Sequence, residues 1–176
     1  MKPILFSTDM VRAILEGRKT QTRRVIKPQY AEDNHGNKTP LDIFIPQVSN
    51  ISDCAPHQPG DILWVRETWT DAIYKGEDYE YRADGTALPP ERRWKPSIHM
   101  PREAARLFLR VKNVRAERAQ DITTMDCFAE GVNPEIGNEY EILWDELYAK
   151  GGCGWDTNPW VWVYEFEKIS KERIIL

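Results

Sequence analysis

Cysteine is scarce in this chain, with three in 176 residues, at positions 54, 127 and 153. An odd number spread so widely does not make a disulfide framework, and it points to a reducing compartment, with the cytoplasm as the expected location. Histidine is equally rare, also three. Cys54-x-x-His57 has a spacing that zinc can use, but a tetrahedral site needs two further ligands. The remaining Cys and His residues show no paired spacing, so the pair reads as incidental and neither a metal nor a cofactor is expected. No apolar run reaches membrane-spanning length, and Met1-Lys2-Pro3-Ile4 lacks a signal-peptide pattern, so no membrane partner is expected. Internal repeats, low-complexity segments and long heptads are missing too. There is no excess of positive charge: 24 basic against 28 acidic residues leave a net charge of −4. That disfavours coating duplex DNA by bulk attraction, while a local basic pocket for one nucleotide stays open.

Aromatic bulk is plentiful: 7 Trp, 7 Tyr and 5 Phe supply apolar surface for a core. The length exceeds one small barrel and falls short of two full domains, so residues 1–176 read as a single α+β domain with a loop-rich insertion at about 29–58. An apolar run at 3–6 predicts a strand. Ser7, Thr8 or Asp9 then caps a helix whose face is Met10, Val11, Ile14 and Leu15, and Gly17 ends it. The insertion is rich in turn residues, with a short hairpin expected at 42–45. After the turn Pro59-Gly60-Asp61 the run 62–69 predicts a strand with Leu63, Val65, Glu67 and Trp69 on one face. An inward Glu67 needs a cation, for which Arg23 or Arg24 would serve, either as a rim ion pair or as a pocket wall. A shorter strand follows at 79–82. Pro96 and Pro101 exclude regular structure from 94–102, whose Ser97, His99 and Arg102 suit the rim of a site. His99 either exchanges protons there or simply fixes the loop. A strand at 105–114 follows. A short helix through Met125, Phe128 and Ala129 is stopped by Gly131. A helix after Asn138 has Ile142, Leu143, Leu147 and Tyr148 as its expected apolar face, and a strand at 160–167 is the last.

Between the first helix and the next extended run lies Glu16-Gly17-Arg18-Lys19-Thr20-Gln21-Thr22-Arg23-Arg24. Cations beside hydroxyls suit a polar or anionic ligand; a solvated turn and edge strand is the competing reading. Gly17-x-Lys19-x-x-Thr22-x-Arg24 resembles the signature of the ASCH domains, relatives of the PUA RNA-binding fold. Trp64-Val65-Arg66-Glu67-Thr68-Trp69, Ser97-Ile98-His99-Met100-Pro101-Arg102 and Asn158-Pro159-Trp160-Val161-Trp162 are similar to stretches of prophage-type ASCH proteins. The resemblance implies a PUA-like small β-barrel with flanking helices and a cleft under the signature loop.

Two functions follow from that resemblance. The first is binding of a nucleoside, a modified base or RNA. Lys19, Arg23 and Arg24 would be anion contacts, Trp69 a stacking platform, and Glu67, His99 and Arg102 further contacts. The second is an amidohydrolase that deacetylates 4-acetylcytidine, an activity which one branch of the family carries out with a Lys, a Thr and a Glu. Lys19 and Thr22 carry over by motif position. Glu130, in Ala129-Glu130-Gly131, lies in the region of the third, with Glu67 as its alternative. Lys19 would take the Thr22 proton and Thr22 would attack the acetyl carbonyl. In a regular strand Lys19 and Thr22 point to opposite faces, so joint action requires a kink just after Gly17. A structural or assembly role in a phage particle is a third reading, which no sequence pattern favours.

Overall fold

The computed structural model describes residues 1–45, 50–71, 79–133 and 138–174. Strand β1 (Lys2–Leu5) leads into helix α1 (Thr8–Leu15), where the Ser7 hydroxyl accepts from the Met10 N–H as N-cap. Gly17 has φ +77°, the left-handed conformation that closes a helix most cheaply for glycine. Strand β2 (Gln21–Val25) begins four residues later. The remaining strands of the main sheet are β5 (Ile62–Arg66), β8 (Phe108–Arg118) and β9 (Trp160–Ile169). The strands between them in sequence form two small hairpins, β3 (Tyr30–Glu32) with β4 (Lys38–Pro40) and β6 (Trp69–Asp71) with β7 (Tyr79–Tyr81).

The main sheet has five strands in the order β1-β5-β8-β9-β2. β1 is parallel to β5 and the other neighbours are antiparallel. The α+β class is therefore present, but among the described residues no backbone pairing closes the sheet into a barrel: β1 and β2 remain edges. The two edges nevertheless approach each other, because the Arg24 guanidinium on β2 donates to the Leu5 carbonyl on β1 at 2.7 Å.

Both faces of this curled sheet are covered. The inner face packs Leu63, Val65, Leu109, Val111, Trp162, Tyr164 and Phe166 against Met10, Val11 and Ile14 of α1. On the outer face, Val161 and Val163 pack under Trp144 of helix α4 (Glu139–Tyr148). At the other end of that face, Ile62, Trp64 and Phe108 pack under Trp69, Met100 and Ala104. A short helix α3 (Thr124–Ala129) runs beside β2, its start fixed by a Thr123–Asp126 capping box.

Several sequence expectations are corrected here. The first hairpin lies at residues 30–40 rather than 42–45, where the chain instead turns as helix α2 (Leu41–Phe44); Asp33 anchors the hairpin turn by accepting from His35 and Asn37. The run 62–69 is broken after Arg66 and resumes as β6 in a separate two-stranded sheet. Helix α4 buries Trp144 between half-buried Tyr140 and Tyr148; of its expected face Leu143 and Tyr148 pack inward, while Ile142 and Leu147 stay exposed. The Trp144 ring offers more apolar area than either exposed aliphatic side chain. No helix among the described residues is long and apolar enough to cross a membrane. Residues 175–176, the apolar end of the tail, lie outside the described residues.

Candidate functional site

The chain leaves α1 in a tight kink, where the backbone N–H groups of Arg18 and Lys19 both donate to the Ala13 carbonyl. Lys19 therefore precedes β2 and is free of strand alternation. Its side chain is fully buried and its Nζ lies 2.5 Å from Glu130 Oε2 and 2.9 Å from the Glu130 carbonyl oxygen. Glu130 is the C-cap of α3. It is held against the motif because Thr20 N–H donates to the Ala129 carbonyl at 2.8 Å. The other Glu130 oxygen faces Arg23 Nη1 at 3.2 Å.

Arg23, also fully buried, continues the network: its Nη2 lies 2.5 Å from Glu117 and 3.2 Å from Asp126. Asp126 also accepts from Gln21 at 2.9 Å and pairs with Arg115. Arg115 returns to Glu117 and Glu165. Two buried cations are thus compensated by carboxylates from β8 and α3, as charge burial demands. Burial pushes the Lys19 pKa below its ordinary value against the pull of Glu130, and the charges of Arg24 and Arg23 push the same way. Burial opposes ionisation of Asp126, but hydrogen bonds from Gln21 and Thr123 and the charge of Arg23 outweigh it and bring its pKa to about 2.

Thr22 alternates with Arg23 along β2 and so turns to the opposite face, in register with Tyr164. It borders a cavity of only about 10 Å³, with Met10, Arg23, Arg24, Tyr140, Trp144, Leu147 and Tyr148 around it. Three of these, Arg24, Leu147 and Tyr148, also line a much larger cleft of about 700 Å³. This cleft occupies the gap between the edges β1 and β2. Its walls include Tyr30, Leu41 and Phe44 from the insertion, together with Trp162 and Tyr164 from β9. His57 stands in this wall with its ring edge on Tyr164 at 5.2 Å and a buried Nδ1 that has no hydrogen-bond partner among the described residues. Burial, then the charge of Lys2, lower its pKa, so the imidazole is neutral at pH 7.

The structure thus brings Lys19, Arg23 and Glu130 into contact; Thr22 and Arg24 alternate to the other face of β2 from Arg23, and Arg24 shares the Phe6 ring with Lys19, at 5.0 and 5.8 Å from its centre. The structure does not join the remaining expected residues to them. Glu67 is wholly buried and held by Arg106 through two bonds of 2.9 and 3.0 Å, not by Arg23 or Arg24. The reason is topological: Arg106 leads into β8, the direct neighbour of β5, whereas β2 lies at the far edge of the sheet. Trp69 is buried under the outer face of β5, with Lys95 Nζ 4.6 Å above its ring. His99 and Arg102 are exposed in the same outer layer.

Asp126, Glu117, Tyr140 and His57 were not singled out for the site by sequence reasoning. Asp126 shows in the sequence only as part of a cap, and Glu117 only as a residue in a strand. Nothing local signals that either meets Arg23. Cys54 and His57, incidental by sequence spacing, both line the cleft.

Neither a protein-family model nor a curated protein matches the chain. Among solved structures, the chain is similar to the crystal structure of protein EF3133 from Enterococcus faecalis V583, family-model DUF984. The TM-score is 0.48 at 11% sequence identity, over 97% of this chain and 82% of that one.

Proposed function

We propose that the protein is a nucleoside- or RNA-binding domain of the ASCH type, with PUA-like architecture, whose ligand enters the cleft between β1 and β2. The observation that carries this reading is the cleft itself. Its volume of about 700 Å³ suits a small-molecule site. Half-buried Tyr30 and Tyr148 supply aromatic surface beside the buried Trp162 and Tyr164, and Arg24 of the Gly-x-Lys-x-x-Thr-x-Arg motif links the cleft to the motif. Stacking of a base on such rings is worth about 1–3 kcal/mol, and the neutral His57 adds a polar group with an unused Nδ1. Titration calorimetry with the ribonucleosides and 4-acetylcytidine tests the reading. The expected result is saturable binding that weakens in Tyr30→Ala. No heat and no thermal stabilisation with any of them would remove it.

A second reading, amide hydrolysis of 4-acetylcytidine, is favoured by one observation: the Lys19–Glu130 contact at 2.5 Å in a site closed to water. Lys19 Nζ bonds Glu130 rather than Thr22 here, so it must first turn to Thr22; neutral Lys19 would then accept the Thr22 proton while Thr22 Oγ1 adds to the acetyl carbon. Collapse would break the C–N bond, the proton on Lys19 passing to the departing nitrogen. Water would then cleave the acetyl ester to release acetate and restore Thr22. A cavity of about 10 Å³ beside Thr22 holds no more than about one water, so α4 must give way for substrate to reach it. Chromatography for released cytidine checks this. Turnover that a folded Lys19→Ala variant lacks supports hydrolysis, and no turnover by the parent excludes this substrate.

A further inference from the structure

We infer that the cleft is built for an anion: its occupant carries a phosphate, as a nucleotide or a 5′-phosphorylated RNA end does, and Arg24 receives that phosphate. The inference rests on the nucleoside reading above and specifies its ligand.

The argument begins with charge. The protein carries a net charge of −4, yet the described residues lining the cleft include two cations, Arg24 and Lys27, and no Asp or Glu. Elsewhere among the described residues most half-buried and buried guanidinium groups meet carboxylates; half-buried Arg66, which bonds the Ile98 carbonyl, does not. Arg23, the next residue along the same strand, faces Glu117, Asp126 and Glu130. Arg106 faces Glu67 and Asp84, and Arg115 faces Glu117, Asp126 and Glu165.

Arg24, on the cleft side, meets no carboxylate among the described residues. One of its nitrogens bonds the Leu5 carbonyl at 2.7 Å, and its plane lies over the Phe6 ring at 5.0 Å. These contacts fix the group in position without neutralising it. A guanidinium has five N–H donors in a planar fork, matched to phosphate oxygens. Carboxylates placed on one side of β2 and withheld from the other make one arginine structural and leave the other for a ligand. Lys27, exposed at the mouth, adds a second positive charge without a carboxylate partner among the described residues. The aromatic wall and His57 then take the ring, and the cations take the phosphate.

Calorimetric titration of the full chain compares the four ribonucleosides with their 5′-monophosphates, and a short RNA with and without a 5′-phosphate. Inorganic phosphate serves as control. The phosphorylated form should bind about tenfold tighter or more, as expected for a charge-assisted contact. That preference should shrink as salt rises. It should vanish in Arg24→Met and persist in Arg24→Lys. The salt series on the parent protein stands even if Arg24→Met fails to fold. Monophosphates favoured without the RNA indicate a free nucleotide; the phosphorylated RNA favoured as well indicates a strand end. Equal affinity for nucleoside and nucleotide would overturn the inference while leaving the nucleoside reading intact. Inorganic phosphate binding as tightly as the monophosphates would overturn the joint recognition of ring and anion. No binding by any of them would remove both readings.

Discussion

Glu130 is one residue with two cations to satisfy, and the consequences of removing it are asymmetric. Glu130→Ala leaves Lys19 and Arg23 buried with one fewer counter-charge, a change that costs about 3–5 kcal/mol for a broken buried pair. Lys19→Met leaves Glu130 still facing Arg23 and removes a cation that burial already disfavours, so it should cost less. Urea denaturation of the two variants measures this order, and a larger loss for Lys19→Met would contradict the network as described. Asp126 governs a pH limb of stability. Its folded pKa of about 2 lies below the ordinary 3.8. The stability it contributes is therefore fully present above about pH 4 and is lost as pH falls towards 2. Thermal melts across that window should show a steeper decline for the parent than for Asp126→Asn.

Among the elements, the contact between α3 and the motif decides whether the site exists at all. Gly131 closes α3 with φ +82°, and a Cβ there would stand 2.9 Å from Ala13 Cβ and 3.2 Å from Lys19 Cβ. Gly131→Ala therefore combines left-handed strain of about 1–2 kcal/mol with overpacking of about 1–3 kcal/mol. A lowered thermal midpoint is expected; a midpoint equal to the parent's would mean that α3 does not press on the kink after Gly17. The sequence shows Gly131 as a helix stop but contains no sign of its close approach to Ala13, a residue more than a hundred positions away. The same limit applies to α4. Its helical period and the inward Leu143 and Tyr148 are legible from residue 139 onward, whereas burial of Trp144 in place of Ile142 and Leu147 was decided by the valine surface of β9. Glu67 follows this pattern too. Its inward direction and its need for a cation were readable from strand alternation, but the identity of the cation depended on which strand lies next to β5.

For the whole molecule, the open seam between β1 and β2 is the feature that matters, and its walls include one thiol. Cys54 is exposed and lines the cleft, while Cys127 and Cys153 are buried. A thiol reagent should modify one cysteine quickly and two only on unfolding, and a saturating ligand should slow the fast reaction. Rapid labelling of two or three thiols would show that the folded chain is looser than described. The sequence by itself determined the α+β class, the first helix and its cap, the turn at Gly17, and a motif with Lys19, Thr22, Arg23 and Arg24 at its centre, because these follow from local periodicity and backbone sterics. Only the tertiary structure decided that Arg23 meets carboxylates and Arg24, among the described residues, does not, that Glu130 rather than Glu67 meets Lys19, and that Tyr30, Leu41 and Phe44 wall a cleft beside the motif. Those outcomes depend on strand order and on how far the sheet curls, both set by burial of side chains distant in sequence, for which no stretch of the chain carries a local signal.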